Sequence, residues 1–142
     1  MRALLDVNSL IALLDQAHLH HGAVRSFMLH NADAGWATCP ITQNGCLRVM
    51  AQPAYPGGLS VGQVAALLAA ATGADAHEFW ACDVSLLDPA VAETERLLGP
   101  GQVTDAYLLA LAATRGGRLV TFDRRIDPGA LPCAQPFNLL TL

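Results

Sequence analysis

The sequence predicts an α/β domain in which a central parallel sheet is covered by helices on both faces. Short apolar runs such as residues 3–5 and 119–122 show no polar alternation and are too short for helices, which is typical of strands buried on both faces. Longer segments with helical spacing alternate with these runs along the chain. Hydrophobic residues make up 53% of the composition and charged residues only 14%, which is enough apolar surface to cover both faces of a sheet.

The 142 residues are expected to form a single domain spanning 1–142, because no linker or shift in composition divides them. Residues 52–58 are rich in proline and glycine and are interpreted as a long loop within that domain. No apolar run approaches the roughly 18 residues of a membrane helix. The acid at position 6 follows the start too closely for a secretory signal, so a cytoplasmic location is the default expectation.

Local signals predict the elements in the order β-α-α-β-α-α-β-α-α-β-β. Ser60 and Gln63 match a capping box at the start of one helix, and Asp88-Pro89 supplies a cap and a first-turn proline for another. The predicted strands are 2–6, 35–40, 78–82 (extending at most to residue 86), 118–122 and 137–140, and the predicted helices are 9–14, 23–31, 43–50, 61–71, 89–98 and 105–114.

Three aspartates are expected at one edge of this sheet. Asp6 and Asp123 each end an apolar strand, and Asp105 opens a helix. In open α/β sheets the carboxyl ends of the strands and the starts of the following helices share a rim, where ligands bind. Taken singly, each acid has a structural explanation: Asp6 as a helix cap, Asp105 as a partner of the helix dipole and Asp123 in a turn. Capping explains all three together less well.

Crowded carboxylates repel one another and raise one another's pKa, a cost that a divalent cation removes. Oxygen ligands suit Mg²⁺ or Mn²⁺. Such an ion lowers the pKa of a bound water and neutralises charge on phosphate oxygens. The constellation of Asp6, Asp105 and Asp123 therefore predicts phosphodiester hydrolysis, with these residues as both catalytic groups and metal ligands.

The same motifs resemble those of a known family. Residues 4–8, 103–106 and 119–124 are similar to the acidic motifs of PIN-domain proteins, most closely the VapC toxins of bacterial toxin–antitoxin pairs, and residues 36–48 are similar to the second motif of one VapC subgroup. The resemblance covers nearly the whole chain and implies a PIN-like three-layer α/β/α domain. It further implies a Mg²⁺- or Mn²⁺-dependent endoribonuclease that cuts tRNA or ribosomal RNA, forms a homodimer and is inhibited by a VapB-like antitoxin.

The chain departs from that family at one position. Many members carry a glutamate in the second motif, where this sequence has Gln43, Asn44 and Gly45. An amide oxygen of Gln43 or Asn44 can ligate an ion or hold one of its waters but adds no charge, so weaker metal binding is expected; Asn44 is equally explained by capping or packing. Asn8, Thr104 and Thr121 are further candidates for holding metal-bound waters or the carboxylates themselves; for the two threonines, core or capping hydrogen bonds are the alternative.

RNA contacts are expected from few residues. The net charge is −4 and every basic residue is arginine, so no general positive field attracts nucleic acid. Arg48 lies in the second motif and Arg124 and Arg125 follow the last acid, which makes them candidates for bidentate contacts with phosphate. A surface salt bridge is an equal alternative for Arg125. The surplus of apolar residues independently favours a dimer.

The remaining metal-ligating residue types favour structural interpretations. His18, His20 and His21 lack a nearby acid or cysteine partner, and loop or helix-capping roles are favoured over a metal site. The four cysteines have no Cys-x-x-Cys pair and are interpreted as buried thiols.

Two other functions compete with a ribonuclease. One is a PIN-like module that binds RNA or a partner with weak or no catalysis, to which the missing glutamate gives support. The other is a phosphoacceptor receiver domain, which also gathers acids around Mg²⁺; the complete absence of lysine and of adjacent acids after the first strand counts against it.

Overall fold

The computed structural model describes all 142 residues and contains one sheet of five parallel strands, which lie side by side in the order third, second, first, fourth and fifth along the chain. The strands are β1 (Ala3–Leu5), β2 (Trp36–Thr38), β3 (His77–Phe79), β4 (Arg118–Thr121) and β5 (Leu139–Thr141). The helices are α1 (Val7–Leu14), α2 (His21–His30), α3 (Pro40–Met50), α4 (Val61–Thr72) and α5 (Val103–Thr114). The first and fourth strands are direct neighbours at the centre of the sheet, with Leu5 opposite Val120.

Successive residues of the central strands enter two separate apolar cores. Leu4 and Leu119 pack in the core formed with α5, whereas Leu5 and Val120 pack in the core formed with α1, α3 and α4. All four side chains are fully buried, and such a side chain contributes about 1.5–3 kcal/mol relative to exposure. The predicted three-layer α/β/α arrangement around a parallel sheet is therefore confirmed.

Close packing fixes the junction between β1 and α1. Asp6 occupies the N-cap of α1 and its side chain accepts a hydrogen bond from the Val7 amide at 2.7 Å. Helix α3 crosses this first turn so closely that a Cβ on Gly45 would stand 2.5 Å from Val7 Cγ2. Gly45, in the second motif, therefore lets two helices meet beside the rim.

The predicted helix over 89–98 is wrong. The segment forms turns, with one 3₁₀ turn at Thr94–Arg96. Asp88 Oδ1 accepts from the Ala90 amide at 2.9 Å, which stabilises a local turn. Further along, the Glu93 amide donates to the Ala130 carbonyl at 2.8 Å. The Glu93 amide thus bonds to a distant segment instead of continuing a helix, and only one α-helix separates β3 from β4.

Several boundaries also differ. The third strand occupies His77–Phe79 instead of 78–82, and the fifth starts at Leu139 because a 3₁₀ turn occupies 136–138. Helix α1 starts at Val7 rather than residue 9, because Asp6 caps it. Helix α3 starts at Pro40 rather than residue 43, with the proline in its first turn. The predicted capping box between Ser60 and Gln63 is confirmed.

Helix α4 leaves an apolar face uncovered. It buries only Val64 and Leu68, while Leu67 and the alanines beside it are exposed. Elsewhere Leu87 and Leu98 are almost fully exposed, at 91% and 90%. None of the helices has the length and apolar character needed to cross a membrane.

Candidate active site

Asp6 lies at the carboxyl end of β1 and is nearly buried, with 7% of its surface exposed. Its Oδ1 accepts from the Val7 amide at 2.7 Å, and its Oδ2 accepts from the Thr121 hydroxyl at 2.6 Å. Burial nevertheless raises the pKa of the carboxyl above its usual value, and the hydrogen bonds offset this only in part. The fold thus holds a desolvated carboxylate in a fixed position.

Thr121, the last residue of β4, links the strand ends. Because its single proton is donated to Asp6, its oxygen accepts from Asn8 Nδ2 at 3.1 Å and from the Asp123 amide at 3.0 Å. Asn8 in turn accepts from the Phe122 amide at 3.2 Å through Oδ1. The first turn of α1 and the end of β4 are therefore joined by side chains as well as by the sheet.

Asp123 is held by a neighbouring arginine. Its Oδ1 accepts from the Arg125 amide at 2.8 Å and from Nε at 3.0 Å, and its Oδ2 accepts from Nη2 at 2.7 Å. These bonds lower the pKa of Asp123 to about 2. The Arg125 side chain is 88% exposed, so water screens the pair. Asp123 therefore also forms the turn that its sequence position suggested.

Asp105 lies in the first turn of α5 and is half-buried. Its side chain makes no hydrogen bond or ion pair with the rest of the protein. Burial raises its pKa first, and the charges of Asp6 and Asp123 raise it further. Together with Arg125 it lines a cavity of about 280 Å³. Asp105 is thus a partly desolvated carboxylate that faces open space.

The three carboxylates influence one another electrostatically. The charge of Asp123 raises the pKa of Asp6, and both raise that of Asp105. As they stand, no three His, Cys, Asp or Glu side chains are close enough to share one ion. Both oxygens of Asp123 are engaged by Arg125. The donor chemistry nonetheless fits a hard cation, because only oxygen ligands are present and hydrogen-bonded carboxylates keep free lone pairs.

Other candidates from the sequence do not contact the aspartates. Gln43 Nε2 donates to Thr38 Oγ1 on β2 at 2.9 Å. Asn44, Arg48 and Thr104 are exposed and share an open groove with Val7, on the α3 side of Asp6. Arg124 is exposed and forms no ion pair. The second motif therefore lies beside the carboxylates without bonding to them.

Two features escaped sequence reasoning. Ser9, expected from the sequence to cap the first helix, is instead fully buried within it and donates to Asn8 Oδ1 at 3.1 Å. His20 stacks on Phe122, between Thr121 and Asp123, with ring centroids 4.3 Å apart. The sequence signal that could have found them is their position next to candidate residues: Ser9 follows Asn8, and Phe122 lies between Thr121 and Asp123. His21 Nδ1 lies 2.8 Å from the Ala12 carbonyl, and the histidines gather no metal-binding group.

The parallel sheet, with carboxylates at the ends of β1 and β4 and at the start of α5, defines a PIN-like domain. The family model described as the PIN domain matches residues 3–128. Ribonuclease VapC44 of Mycobacterium tuberculosis is 53% identical over 142 residues, with 100% of both chains covered. Ribonuclease VapC38 of the same organism is 43% identical over 146 residues, with 99% of both covered. The chain therefore belongs to the PIN-domain family and, within it, to the VapC ribonucleases.

A solved structure agrees on the fold. The crystal structure of Mycobacterium tuberculosis VapC20, a toxin that cleaves the sarcin–ricin loop, matches with a TM-score of 0.59 over 89% of this chain and 91% of that one. The two sequences are only 12% identical, so this likeness bears on architecture alone.

Proposed function

We propose that this chain is a toxin endoribonuclease that hydrolyses phosphodiester bonds in tRNA or ribosomal RNA with a divalent cation, Mg²⁺ or Mn²⁺. Asp6, Asp105 and Asp123 are the proposed catalytic and metal-binding residues. The observation that supports this most strongly is the raised pKa of both Asp6 and Asp105. Burial raises the pKa of each carboxyl, the charge of Asp123 raises both further, and the charge of Asp6 also raises that of Asp105; a cation would remove this cost to the folded chain. The names of the VapC ribonucleases to which the chain is similar support the same activity.

The proposed ion would be held by the carboxylate oxygens of the three aspartates only after Arg125 releases Asp123 and the side chains move closer together, because as they stand no three of them could share one ion. When bound, it would lower the pKa of the attacking water and neutralise charge on the phosphate. Asn8 and Thr121 hold Asp6 and the backbone of Asp123 in place through hydrogen bonds. Holding the ligands in advance reduces the reorganisation that the reaction would otherwise require.

The remaining side chains would contact either the attacking water or the RNA. Asp105, which has no hydrogen-bond partner of its own, would accept a hydrogen bond from the attacking water and orient it. Arg48 and Arg124 are exposed and unpaired and would contact phosphates. Arg125 would do so only after leaving Asp123. Gln43 bonds to Thr38, so of the two amides in the second motif Asn44 is the one left for a water near the ion.

The direct test is RNA cleavage by the purified chain. We expect cleavage of tRNA or ribosomal RNA with Mg²⁺ or Mn²⁺ and its loss with EDTA. Sequencing of RNA ends after induction in cells would identify the substrate and cleavage position. Cleavage that persists undiminished in Asp105→Asn would indicate a contaminating nuclease or a wrong site.

A second candidate is a PIN-like module that binds RNA or a partner with little catalysis. Two observations favour it: Gln43 and Asn44 supply no charge in the second motif, and Arg125 engages both oxygens of Asp123. Measurable RNA binding without cleavage, together with no growth arrest on expression, would select this alternative.

We expect the chain to act as a single domain over 1–142, in the cytoplasm, where its RNA substrate is found. Its proposed partners are a VapB-like antitoxin and a second copy of the chain. The uncovered face of α4 around Leu67 supports a homodimer. Light scattering should give a dimer mass that Leu67→Glu reduces. A monomer at all concentrations would contradict the dimer. Co-expression of a short neighbouring reading frame should relieve growth arrest.

A further inference from the structure

A stack of aromatic rings adjoins the candidate active site. The imidazole of His20 lies on the Phe122 ring with centroids 4.3 Å apart and planes inclined by 19°. The ring of His18 has its centroid 5.7 Å from that of His20 and its plane tilted by 45°, so it is not stacked on His20. Phe122 is the residue between Thr121 and Asp123, so the stack begins within one residue of a proposed metal ligand.

The hydrogen bonds of the site hold this stack in place. The Phe122 amide donates to Asn8 Oδ1 at 3.2 Å, the residue that also bonds Thr121. On the other side, the His20 amide donates to His18 Nδ1 at 3.1 Å, which fixes the turn that presents the imidazole. The backbone that carries the Phe122 ring is therefore held by the network that positions Asp6, whereas the His20 ring is placed by the turn of its own segment.

Burial does not explain the stack. His20 is exposed and Phe122 only half-buried, although an aromatic pair that merely filled the core would be covered. Every RNA base has a flat π-face, and unpaired bases stack on Phe, Tyr, Trp and His in RNA-binding proteins. The position beside the carboxylates is where a nucleotide next to the cleaved bond would lie.

Charge gives an independent reason to expect such a contact. The chain carries 8 basic residues against 12 acidic ones, so the phosphate attraction that dominates most RNA binding is weak. Stacking supplies affinity that depends little on salt. An acidic ribonuclease needs a contact of this kind more than a basic one does.

We propose that His20, supported from below by Phe122, forms a nucleobase-stacking site for the nucleotide adjacent to the scissile phosphate. This inference rests on the proposed ribonuclease function. It assigns a role to two residues that neither chelate a metal nor contact phosphate, and it identifies the ligand as an unpaired base rather than a helical RNA surface.

The test compares RNA binding by variants in the Asp6→Asn background, in which cleavage is expected to be too slow to interfere with the measurement. We expect His20→Ala to weaken binding of a single-stranded substrate oligonucleotide by about 5- to 100-fold, the usual effect of losing one base stack. His20→Tyr should retain most of the affinity because it keeps an aromatic face. His30→Ala, an exposed histidine at the far end of α2, is the matched control and should change nothing.

An abasic nucleotide placed beside the cleavage position provides the decisive arm. It should reduce binding by the parent protein and abolish the difference between parent and His20→Ala. The salt dependence of binding should have the same slope in both, because no phosphate contact is lost.

Several results would overturn the stacking site. These are unchanged affinity in His20→Ala, equal loss in His20→Tyr and His20→Ala, or a loss that persists with abasic RNA. Weaker binding of the antitoxin but not of RNA would assign the rings to a protein contact instead. If the wild-type chain cleaves RNA while these outcomes hold, only the stacking site fails; if it neither binds nor cleaves RNA, the proposed function fails.

Discussion

Asp6 and Asp123 end neighbouring strands and both hydrogen-bond with Thr121, yet the protein stabilises them in opposite ways. Asp6 is nearly buried, fixed by a backbone amide and a hydroxyl, and its pKa is raised. Asp123 is paired with the exposed Arg125, and its pKa is lowered to about 2. The buried end of the site, at Asp6, is held by neutral donors inside the fold. The open end, at Asp123, is held by the charged Arg125 on the surface.

This difference indicates a division of roles. The buried end cannot rearrange without breaking the junction of β1, α1 and β4, so it supplies fixed geometry. The open end exchanges partners at little cost because its ion pair is screened by water. We therefore expect changes at the buried end to affect catalysis and folding together, and changes at the open end to affect chiefly ligand affinity.

The largest expected effect is that of Asp6→Asn. The amide keeps an oxygen for the Val7 amide and the helix cap but removes the negative charge. We expect RNA cleavage to fall about 10³-fold, the equivalent of about 4 kcal/mol of lost cation-mediated stabilisation. Single-turnover cleavage with Mn²⁺ would measure it. Asp33→Asn, an exposed acid far from the rim, is the matched control, and equal activity in both variants would exclude Asp6 from the site.

Thr121→Val is expected to rank second. Valine has the shape of threonine but neither donates to Asp6 nor accepts from Asn8 and the Asp123 amide. Losing a group that orients a metal ligand usually costs 10–100-fold in metal affinity or activity. Buried polar groups left unpaired should also lower the free energy of unfolding by about 1–3 kcal/mol.

The matched control for this prediction is Thr114→Val, which loses only a bond to the Leu111 carbonyl in the last turn of α5. Manganese titration and urea unfolding of both variants would separate the two effects. Full activity in a destabilised Thr121→Val would show that the hydroxyl supports the fold and not the carboxylates.

The sequence was sufficient to predict where the aspartates of the site lie, but not which residues hold them in place. The strand-end positions of Asp6 and Asp123 and the helix-start position of Asp105 followed from local apolar runs, because parallel topology brings these ends to one edge. The hydrogen-bond partners of these aspartates could not be predicted from the apolar runs. Thr121 and Asn8 meet across 113 positions of sequence, and only the pairing of β1 with β4 brings them to 3.1 Å.

The helix predicted over 89–98 failed for a related reason. Its local signals, a cap and a first-turn proline, are real, but the Glu93 amide donates to the Ala130 carbonyl instead of to a carbonyl of its own segment. Tertiary bonds between two irregular segments outweighed local propensity. At the open end, sequence adjacency alone could not decide between phosphate and Asp123 as the partner of Arg125.

Arg125→Gln tests the open end and should have a smaller effect. Removing the guanidinium frees both oxygens of Asp123, so Mn²⁺ should bind a few-fold more tightly by calorimetry in the absence of RNA. Arg124→Gln removes the same charge from a residue with no ion pair and is the matched control. Both variants should bind RNA less well. An equal change of metal affinity in the two would mean that net charge, and not the pairing with Asp123, sets it.

The smallest expected effect lies in the pH dependence of stability without metal, where the two ends have opposite signs. The pKa of Asp6 is raised in the folded state, so its ionisation opposes folding, and stability should decline as pH rises above the usual value near 3.8. The pKa of Asp123 is lowered to about 2, so its contribution is present above the usual value and lost as pH falls towards 2.

Thermal unfolding in EDTA would measure both contributions. Asp6→Asn should lose less stability than the wild type as pH rises above 3.8, and Asp123→Asn should lose less stability than the wild type as pH falls towards 2. Because Asp123 is screened by water, Asp123→Asn should change the stability profile less than Asp6→Asn does. Added Mg²⁺ should restore the stability lost above pH 3.8 in the wild type but not in Asp6→Asn, since an ion that binds only the folded state stabilises it. Profiles that coincide for wild type and Asp6→Asn would mean that this carboxylate is not desolvated, and the contrast between the two ends would then be lost.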